Sequence, residues 1–315
     1  MSPVEAGSVS QPGQCVLVTG ATGFIGSQLV RKLLAEGHAV TALTRQPERA
    51  AARLGPQVRC IAGTAALPPS EPIDVVINLA GERILGPRWT PARKAALLQS
   101  RVETTRDLVR WIAGADRKPA LLLSASAIGY YGVQRQGDDS PLTEDSPGQP
   151  VFMSELCQRW EAEAATATAH GVRVACMRFG VVLGHQGALP MMLMPVRLGV
   201  GGRLGTGRQW ITWIHLRDLL RAIDHVQQHA PAAGRAEIYN LVAPEAVRQA
   251  DFIRIAARLL HRPAILRTPA TPMRLLLGEQ ADLLLEGQRV VPARLAREGF
   301  AFEFPTLEAA LRDLC

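Results

Sequence analysis

Val16-Leu17-Val18-Thr19-Gly20-Ala21-Thr22-Gly23-Phe24-Ile25-Gly26 reads as a buried strand, a glycine turn and the first turn of a helix. Glycines at 20, 23 and 26 let the backbone turn sharply and come close to a pyrophosphate, whose charge then faces the amides of the helix N-terminus. The spacing is G-x-x-G-x-x-G, so the flanking pattern has to carry the reading. An apolar run precedes the turn. A helix follows with Ile25, Leu29, Leu33 and Leu34 on one face, and Gly37 ends it. A second apolar strand spans Ala39 to Leu43. This βαβ unit predicts a dinucleotide site on Gly20, Thr22, Gly23, Phe24, Ile25 and Gly26, against the bland alternative of a tight turn with no ligand.

The end of the second strand selects the cofactor. An acid there would take the ribose 2′-hydroxyl of NAD. This chain has Thr44-Arg45 instead, and Glu48 is the first acid beyond. A guanidinium matches a 2′-phosphate in charge and in its planar fork of donors, so the expected cofactor is NADP(H), with Arg49 as a second candidate contact.

Strands and helices alternate onward. Strands are expected at Ile73 to Leu79, Ala120 to Ser124 and Arg173 to Arg178, with helices over Pro91 to Ala113 and Phe152 to His170. That order predicts an α/β fold, a Rossmann-type doubly wound parallel sheet with a smaller C-terminal substrate lobe. Ligands in such sheets lie beyond the carboxyl ends of the strands. Asn78, Leu79, Ala80, Gly81, Ser124 and Arg178 therefore join the cofactor set. The expected division is a flexible tail over 1–13, an NADP-binding domain over 14–183 with possible later return strands, and a smaller lobe over 184–315. The glycine run from Gly199 to Gly207 reads as a lid or a plain loop.

With 315 residues and 47% hydrophobic content, the chain can bury a large core. The first residues, Met1 to Gln14, lack the apolar run and the basic residues of a signal peptide, and no stretch of about 18 apolar residues occurs. The net charge of +7 is spread along the chain without a dense basic run, which argues against a nucleic-acid partner. Five scattered cysteines show no metal-ligand spacing and fit a reduced, cytoplasmic setting.

Several segments together resemble a known family. They are Gly81-Glu82-Arg83-Ile84, Arg88-Trp89-Thr90, Ser100-Arg101-Val102, Ser126-Ala127-Ile128-Gly129-Tyr130-Tyr131-Gly132, Trp160-Glu161, Trp213-Ile214-His215 and Gly287-Gln288-Arg289-Val290. With the Thr19-to-Gly26 turn, they resemble the atypical extended short-chain dehydrogenase/reductases of the NAD-dependent epimerase/dehydratase type. The stretch over 265–315 is similar to an uncharacterised C-terminal domain of that branch. Arg217 departs from the pattern, which usually has an acid before the position of Asp218.

The resemblance implies a Tyr-x-x-x-Lys pair in the helix after the serine strand. The tyrosine would exchange a proton with the substrate oxygen, and the lysine would hold the nicotinamide ribose and lower the tyrosine pKa. Aligned on Glu161, those positions are Met153 and Cys157, and no lysine follows Lys118 anywhere in the chain. The expected catalytic candidates are then Ser126, Tyr131 and Tyr130, each tyrosine with the alternative of plain aromatic packing. Glu82 and Arg88 are expected on the substrate side, Arg101 as an anion contact or a helix-face charge, and Cys157 as a core or site thiol. Two functions follow: an NADP(H)-dependent oxidoreductase or epimerase-like enzyme on an unknown small polar substrate, or a non-catalytic NADP(H)-binding sensor or regulatory protein. Leu97, Leu108, Trp111, Leu156, Trp160 and Ala164 on the two long helices are expected either in the core or at a homodimer interface, leaving monomer and homodimer open.

Overall fold

The computed structural model describes residues 13–229 and 234–315. The tail expected over 1–13 lies, apart from Gly13, outside the described residues. The strands are β1 (Cys15–Thr19), β2 (Ala39–Leu43), β3 (Arg59–Ile61), β4 (Val75–Asn78), β5 (Leu121–Ala127), β6 (Arg173–Phe179), β7 (Val181–Leu183), β8 (Gly202–Leu204), β9 (Trp210–Ile211), β10 (Trp213–His215), β11 (Ala236–Leu241), β12 (Val247–Arg248) and β13 (Leu266–Thr268). Seven of them form one parallel sheet in the order β11-β6-β5-β4-β1-β2-β3. Its inner strands are apolar on both faces, as a sheet covered on both sides requires; Val75, Val76 and Ile77 are all buried.

The helices are α1 (Phe24–Ala35), α2 (Pro47–Leu54), α3 (Pro91–Gly114), α4 (Phe152–Ala165), α5 (Leu189–Arg197), α6 (Leu216–His229), α7 (Gln249–Leu259), α8 (Ala270–Leu277), α9 (Asp282–Leu285), α10 (Ala293–Arg297) and α11 (Leu307–Leu314). Leu29, Leu33, Leu219, Ile223 and Val226 from α1 and α6 cover one face. Leu108, Ile112 and Ala164 from α3 and α4 cover the other. The expected doubly wound sheet is thus present. Strand order reverses between β1 and β4, and the crevice beyond their carboxyl ends is where such sheets bind ligands.

The second lobe is less separate than the sequence implied. Its core joins Leu193 of α5, Trp213 of β10, Phe252 of α7 and Leu311 of α11. Yet α6 and β11, which follow much of that lobe in sequence, return to complete the main sheet. Thr212 separates β9 from β10. The glycine run is no lid: β8 pairs in parallel with β13, and a Cβ on Gly202 would sit 1.7 Å from the Leu266 carbonyl oxygen. Glycine is there because the partner strand comes too close for a side chain. Leu97, Leu108, Trp111, Leu156, Trp160 and Ala164 are all buried within the single chain. No helix among the described residues is long and apolar enough to cross a membrane.

Candidate functional site

The three glycines of the turn have three different jobs. Gly20 has φ +67°, and a Cβ there would lie 2.6 Å from the Leu79 carbonyl oxygen, so it allows β1 to turn beside the end of β4. A Cβ on Gly26 would lie 2.2 Å from the Gly20 oxygen, so Gly26 seats α1 against the turn. Gly23 is exposed and meets only the Gly20 oxygen, at 3.1 Å. It is the N-cap of α1, no side chain caps that helix, and its first turn carries no acid. The open amides and the partial positive charge of the helix end therefore remain available to an anion. Ile25 packs into the core, and Thr22 is half-buried beside Gly23. The Phe24 ring reaches the second lobe, where Cβ atoms on Gly184 and Gly187 would meet it at 2.7 and 2.8 Å. That contact was not legible in the sequence.

At the end of β2, the Thr44 amide donates to the Ile61 carbonyl, and Arg45 is exposed with no charged partner among the described residues. Arg49, one turn into α2, makes only a long contact to Gln46 at 3.5 Å. Two guanidiniums thus stand at the position where a 2′-phosphate would bind.

The remaining expected cofactor residues divide along the register of the sheet. Thr19 lies beside Asn78, and Asn78 beside Ser124. Thr19 Oγ1 donates to Asn78 Oδ1 at 2.7 Å and accepts from the Leu79 and Ala80 amides. Asn78 Nδ2 donates to Thr105 Oγ1 and Ser124 Oγ, and Trp160 Nε1 also donates to Thr105. Asn78 and Ser124 are buried and engaged in this row. Through Thr19, which holds the Leu79 and Ala80 amides, the row supports the backbone beyond β4. Gly81 is exposed on one side; on the other, a Cβ would lie 3.0 Å from the Arg101 guanidinium. Arg101 donates to the Leu97 and Glu82 carbonyls, and burial lowers its pKa to about 10.

A second row places Ser126 beside Arg178 and Arg178 beside Asn240. Glu161 of α4 closes it. Arg178 grips Glu161 through two 2.8 Å bonds, from Nε to Oε1 and from Nη2 to Oε2. Ser126 Oγ donates to Glu161 Oε1 at 2.6 Å. Tyr131 accepts from Arg178 at 2.9 Å and donates to Asn240 at 2.7 Å. All five side chains are buried. Burial is the largest influence on the Tyr131 phenol, pushing it up to about 12 despite Arg178. Burial would lower Arg178, but the Glu161 carboxylate raises it above its ordinary value. Arg178 is thus engaged by Glu161 and Tyr131, and the Ser126 and Tyr131 hydroxyls each donate to a buried partner. Glu161, Asn240 and the buried Glu144, which accepts from the Asn240 amide, were missed in the sequence. Asn240 showed itself only as a polar residue between Tyr239 and Leu241, Glu161 only as part of the Trp160-Glu161 segment, and Glu144, between Thr143 and Asp145, gave no signal.

Tyr130 differs from its neighbour. It is half-buried, its ring lies 3.3 Å from the Arg178 guanidinium carbon, and it makes no hydrogen bond through its hydroxyl among the described residues. Met153 and Cys157 pack under Gly129. Cys157 is fully buried, and burial pushes its thiol up to about 12, which makes it a core thiol. Glu82 pairs with Arg93 at 2.5 Å, while Arg88 lies against Gly278 in the C-terminal segment. Gln280 donates to the Ile84 carbonyl, and Glu279 pairs with Lys94, so this segment covers the 82–94 region. Glu82 and Arg88 are not brought to the Ser126 cluster. His215 and Asp218 do not pair catalytically: Asp218 accepts the Glu303 and Phe304 amides and anchors the C-terminal segment.

Comparison with known proteins agrees with this geometry. Residues 16–241 match the NAD dependent epimerase/dehydratase family, and residues 268–314 match a domain of unknown function, DUF1731. Epimerase family protein YfhF of Bacillus subtilis is 38% identical over 301 residues, 95% of this chain and 97% of that protein. Epimerase family protein SDR39U1 of Bos taurus is 40% identical over 307 residues, 95% of this chain and 99% of that protein. A crystal structure of human SDR39U1 isoform 2 with NADPH superposes with a TM-score of 0.81 at 36% identity, covering 95% of this chain and 98% of that one. A UDP-galactose 4-epimerase at 20% identity, with a TM-score of 0.71, shares the fold. The chain belongs to the NAD-dependent epimerase/dehydratase family.

Proposed function

We propose that this chain binds NADP(H) in the crevice between β1 and β4 and reduces a small polar carbonyl compound with it. The observation that carries the reading is the uncapped turn at Gly23 together with the exposed Arg45, which has no charged partner among the described residues. The human relative crystallised with NADPH supports it. In this reading Gly23 and the amides of α1 receive the pyrophosphate, and Arg45 and Arg49 receive the 2′-phosphate. When bound, NADPH supplies a hydride. Tyr130, whose hydroxyl has no partner, donates the proton to the substrate oxygen, and Arg178 holds its ring in place. Ser126 and Tyr131 act as the buried support of that ring. Arg88 and the C-terminal segment form the substrate side. Five free cysteines fit a reduced compartment such as the cytosol.

Fluorescence titration tests the cofactor. NADPH should bind at least several-fold more tightly than NADH, and Arg45→Asp should remove the difference. Equal affinities in the parent, unchanged in the variant, would reject the assignment. A carbonyl panel with NADPH tests turnover, which Tyr130→Phe should lower without weakening NADPH binding.

A second reading is favoured by Met153 and Cys157. Apolar packing occupies the two helix positions where the family's resemblance implies Tyr and Lys. Under that reading the chain is an NADP(H)-binding sensor without turnover. Tight NADPH binding with no consumption across the panel would select it.

A further inference from the structure

We propose that His225, His229 and Glu298 form a binding site for one first-row transition-metal ion of the zinc class, separate from the dinucleotide crevice. His225 and His229 are four residues apart on α6, so they share one face of the helix. Glu298 reaches them from the residue that ends α10. One donor atom from each of the three lies within 4.8 Å of the others. A tetrahedral ion with bonds of about 2.0–2.1 Å sets its donors about 3.4 Å apart, a spacing that His225 Nε2 and Glu298 Oε2, at 3.1 Å, already meet. The exposed His229 ring supplies the adjustment.

The protonation pattern suits a metal. His229 Nδ1 lies 2.9 Å from the His225 carbonyl oxygen, which can only accept, so the ring proton sits on Nδ1 and the Nε2 lone pair is bare. This is the carbonyl-oriented imidazole that metal sites use. His225 Nε2 lies 3.1 Å from Glu298 Oε2. Moving its ring proton to Nδ1 frees that nitrogen as well. The two imidazole centroids lie 3.9 Å apart, so both rings stand within reach of one ion once the exposed His229 ring rotates. The Tyr239 hydroxyl, 3.1 Å from Glu298 Oε1, orients the carboxylate and leaves Oε2 for the ion. Three protein donors plus water complete a four-coordinate site.

Position gives the site a role. Gln227, beside the histidines, bonds to Gln14 just before β1, whereas the glycine turn follows β1. The cluster therefore lies at the opposite end of the sheet from the dinucleotide crevice. An ion there would tie α6 to the C-terminal segment, so its effect falls on stability and leaves cofactor binding unchanged.

The test uses the full chain without a histidine tag, freed of metal by chelator and titrated with Co²⁺ under visible spectroscopy and with Zn²⁺ by calorimetry. The expected result is saturation at one equivalent, a four-coordinate Co²⁺ spectrum displaced by Zn²⁺, and a melting temperature raised by Zn²⁺. His229→Ala, an exposed position, should weaken binding at least tenfold and abolish the thermal shift. Glu298→Gln should also weaken it at least tenfold. Absence of saturable binding would overturn the proposal, and so would full affinity in either variant, because the ion would then sit elsewhere or lack the third donor. NADPH titrations of the same samples, expected unchanged, keep this outcome separate from the reading of the crevice.

Discussion

Two stretches of the same carboxyl edge of the sheet hold the residues that look most functional by type, and they are built in opposite ways. At the end of β1 the backbone is open: Gly23 is exposed, α1 has no side-chain cap, and Arg45 has no charged partner among the described residues. At the ends of β5 and β6 everything is closed: Ser126, Glu161, Arg178, Tyr131 and Asn240 are buried and bonded to one another. Unsatisfied donors at a surface invite a ligand. Satisfied polar groups in a low-dielectric interior instead hold a structure together. Arginine thus stands exposed in one stretch, as Arg45, and locked in a buried ion pair in the other, as Arg178.

The sharpest way to break this comparison is to remove Arg178. A buried ion pair that loses one partner leaves an uncompensated charge, at a cost of about 3–5 kcal/mol. Arg178→Ala should therefore lower the urea midpoint severely. If it fails to fold, Glu161→Gln provides the milder measurement, because it keeps the shape and removes the charge. An unchanged midpoint in Glu161→Gln would mean the cluster is solvated and available for chemistry.

The glycine turn should behave differently at two positions three residues apart. Gly26→Val places atoms against the Gly20 carbonyl, and such overpacking costs about 1–3 kcal/mol. It should lose stability and NADPH binding together. Gly23→Val projects into the open crevice and should lose binding while stability moves by about 0.5 kcal/mol or less. Retained NADPH affinity in a folded Gly23→Val protein would reject the turn as the site.

The paired tyrosines repeat the contrast within one turn. Tyr131→Phe leaves Arg178 and Asn240 each short of a partner, at about 1–3 kcal/mol. Tyr130→Phe removes a hydroxyl with no partner, so its effect should be on turnover and within about 0.5 kcal/mol on stability. Reversed outcomes would exchange their roles.

The open stretch was legible in the sequence and the closed stretch was not, for a physical reason. The glycine turn, the helix face of Leu29 and Leu33, and Arg45 after β2 all lie within one βαβ unit, so local spacing fixes their geometry. The closed row joins Ser126, Arg178 and Asn240 through strand register across separations of 52 and 62 residues, and sequence does not state register. Glu161 reads as an ordinary helix acid until Arg178 is placed opposite it. Asn78 and Ser124 were hard to place for a related reason: Asn78 ends β4 and Ser124 sits within β5, and their side chains join in a row with Thr105 of α3, to which Trp160 of α4 also bonds. The later lobe was hardest, because β11 and α6 rejoin the main sheet after an excursion through β7 to β10.

The smallest expected effect concerns pH and again separates closed from open. His215 is buried and stacked on Phe304 at 3.9 Å. Its Nδ1 accepts the Arg217 amide, so the proton is on Nε2, which lies 3.2 Å from Asp313 but is not aligned for a hydrogen bond. Burial is the largest influence and lowers its pKa below 6.5, despite the opposing pull of Asp313. The unfolded chain therefore takes up the proton before the folded one does. Stability from this group is complete above about pH 6.5 and falls as pH drops below it. Urea midpoints at about pH 7.5 and 5.5 bracket this window while staying above the ordinary carboxylate range. The parent should be less stable at the lower pH, and His215→Gln should show a shallower dependence. An equal slope in parent and variant would mean that His215 accepts its proton inside the fold, with Asp313 turned to receive it.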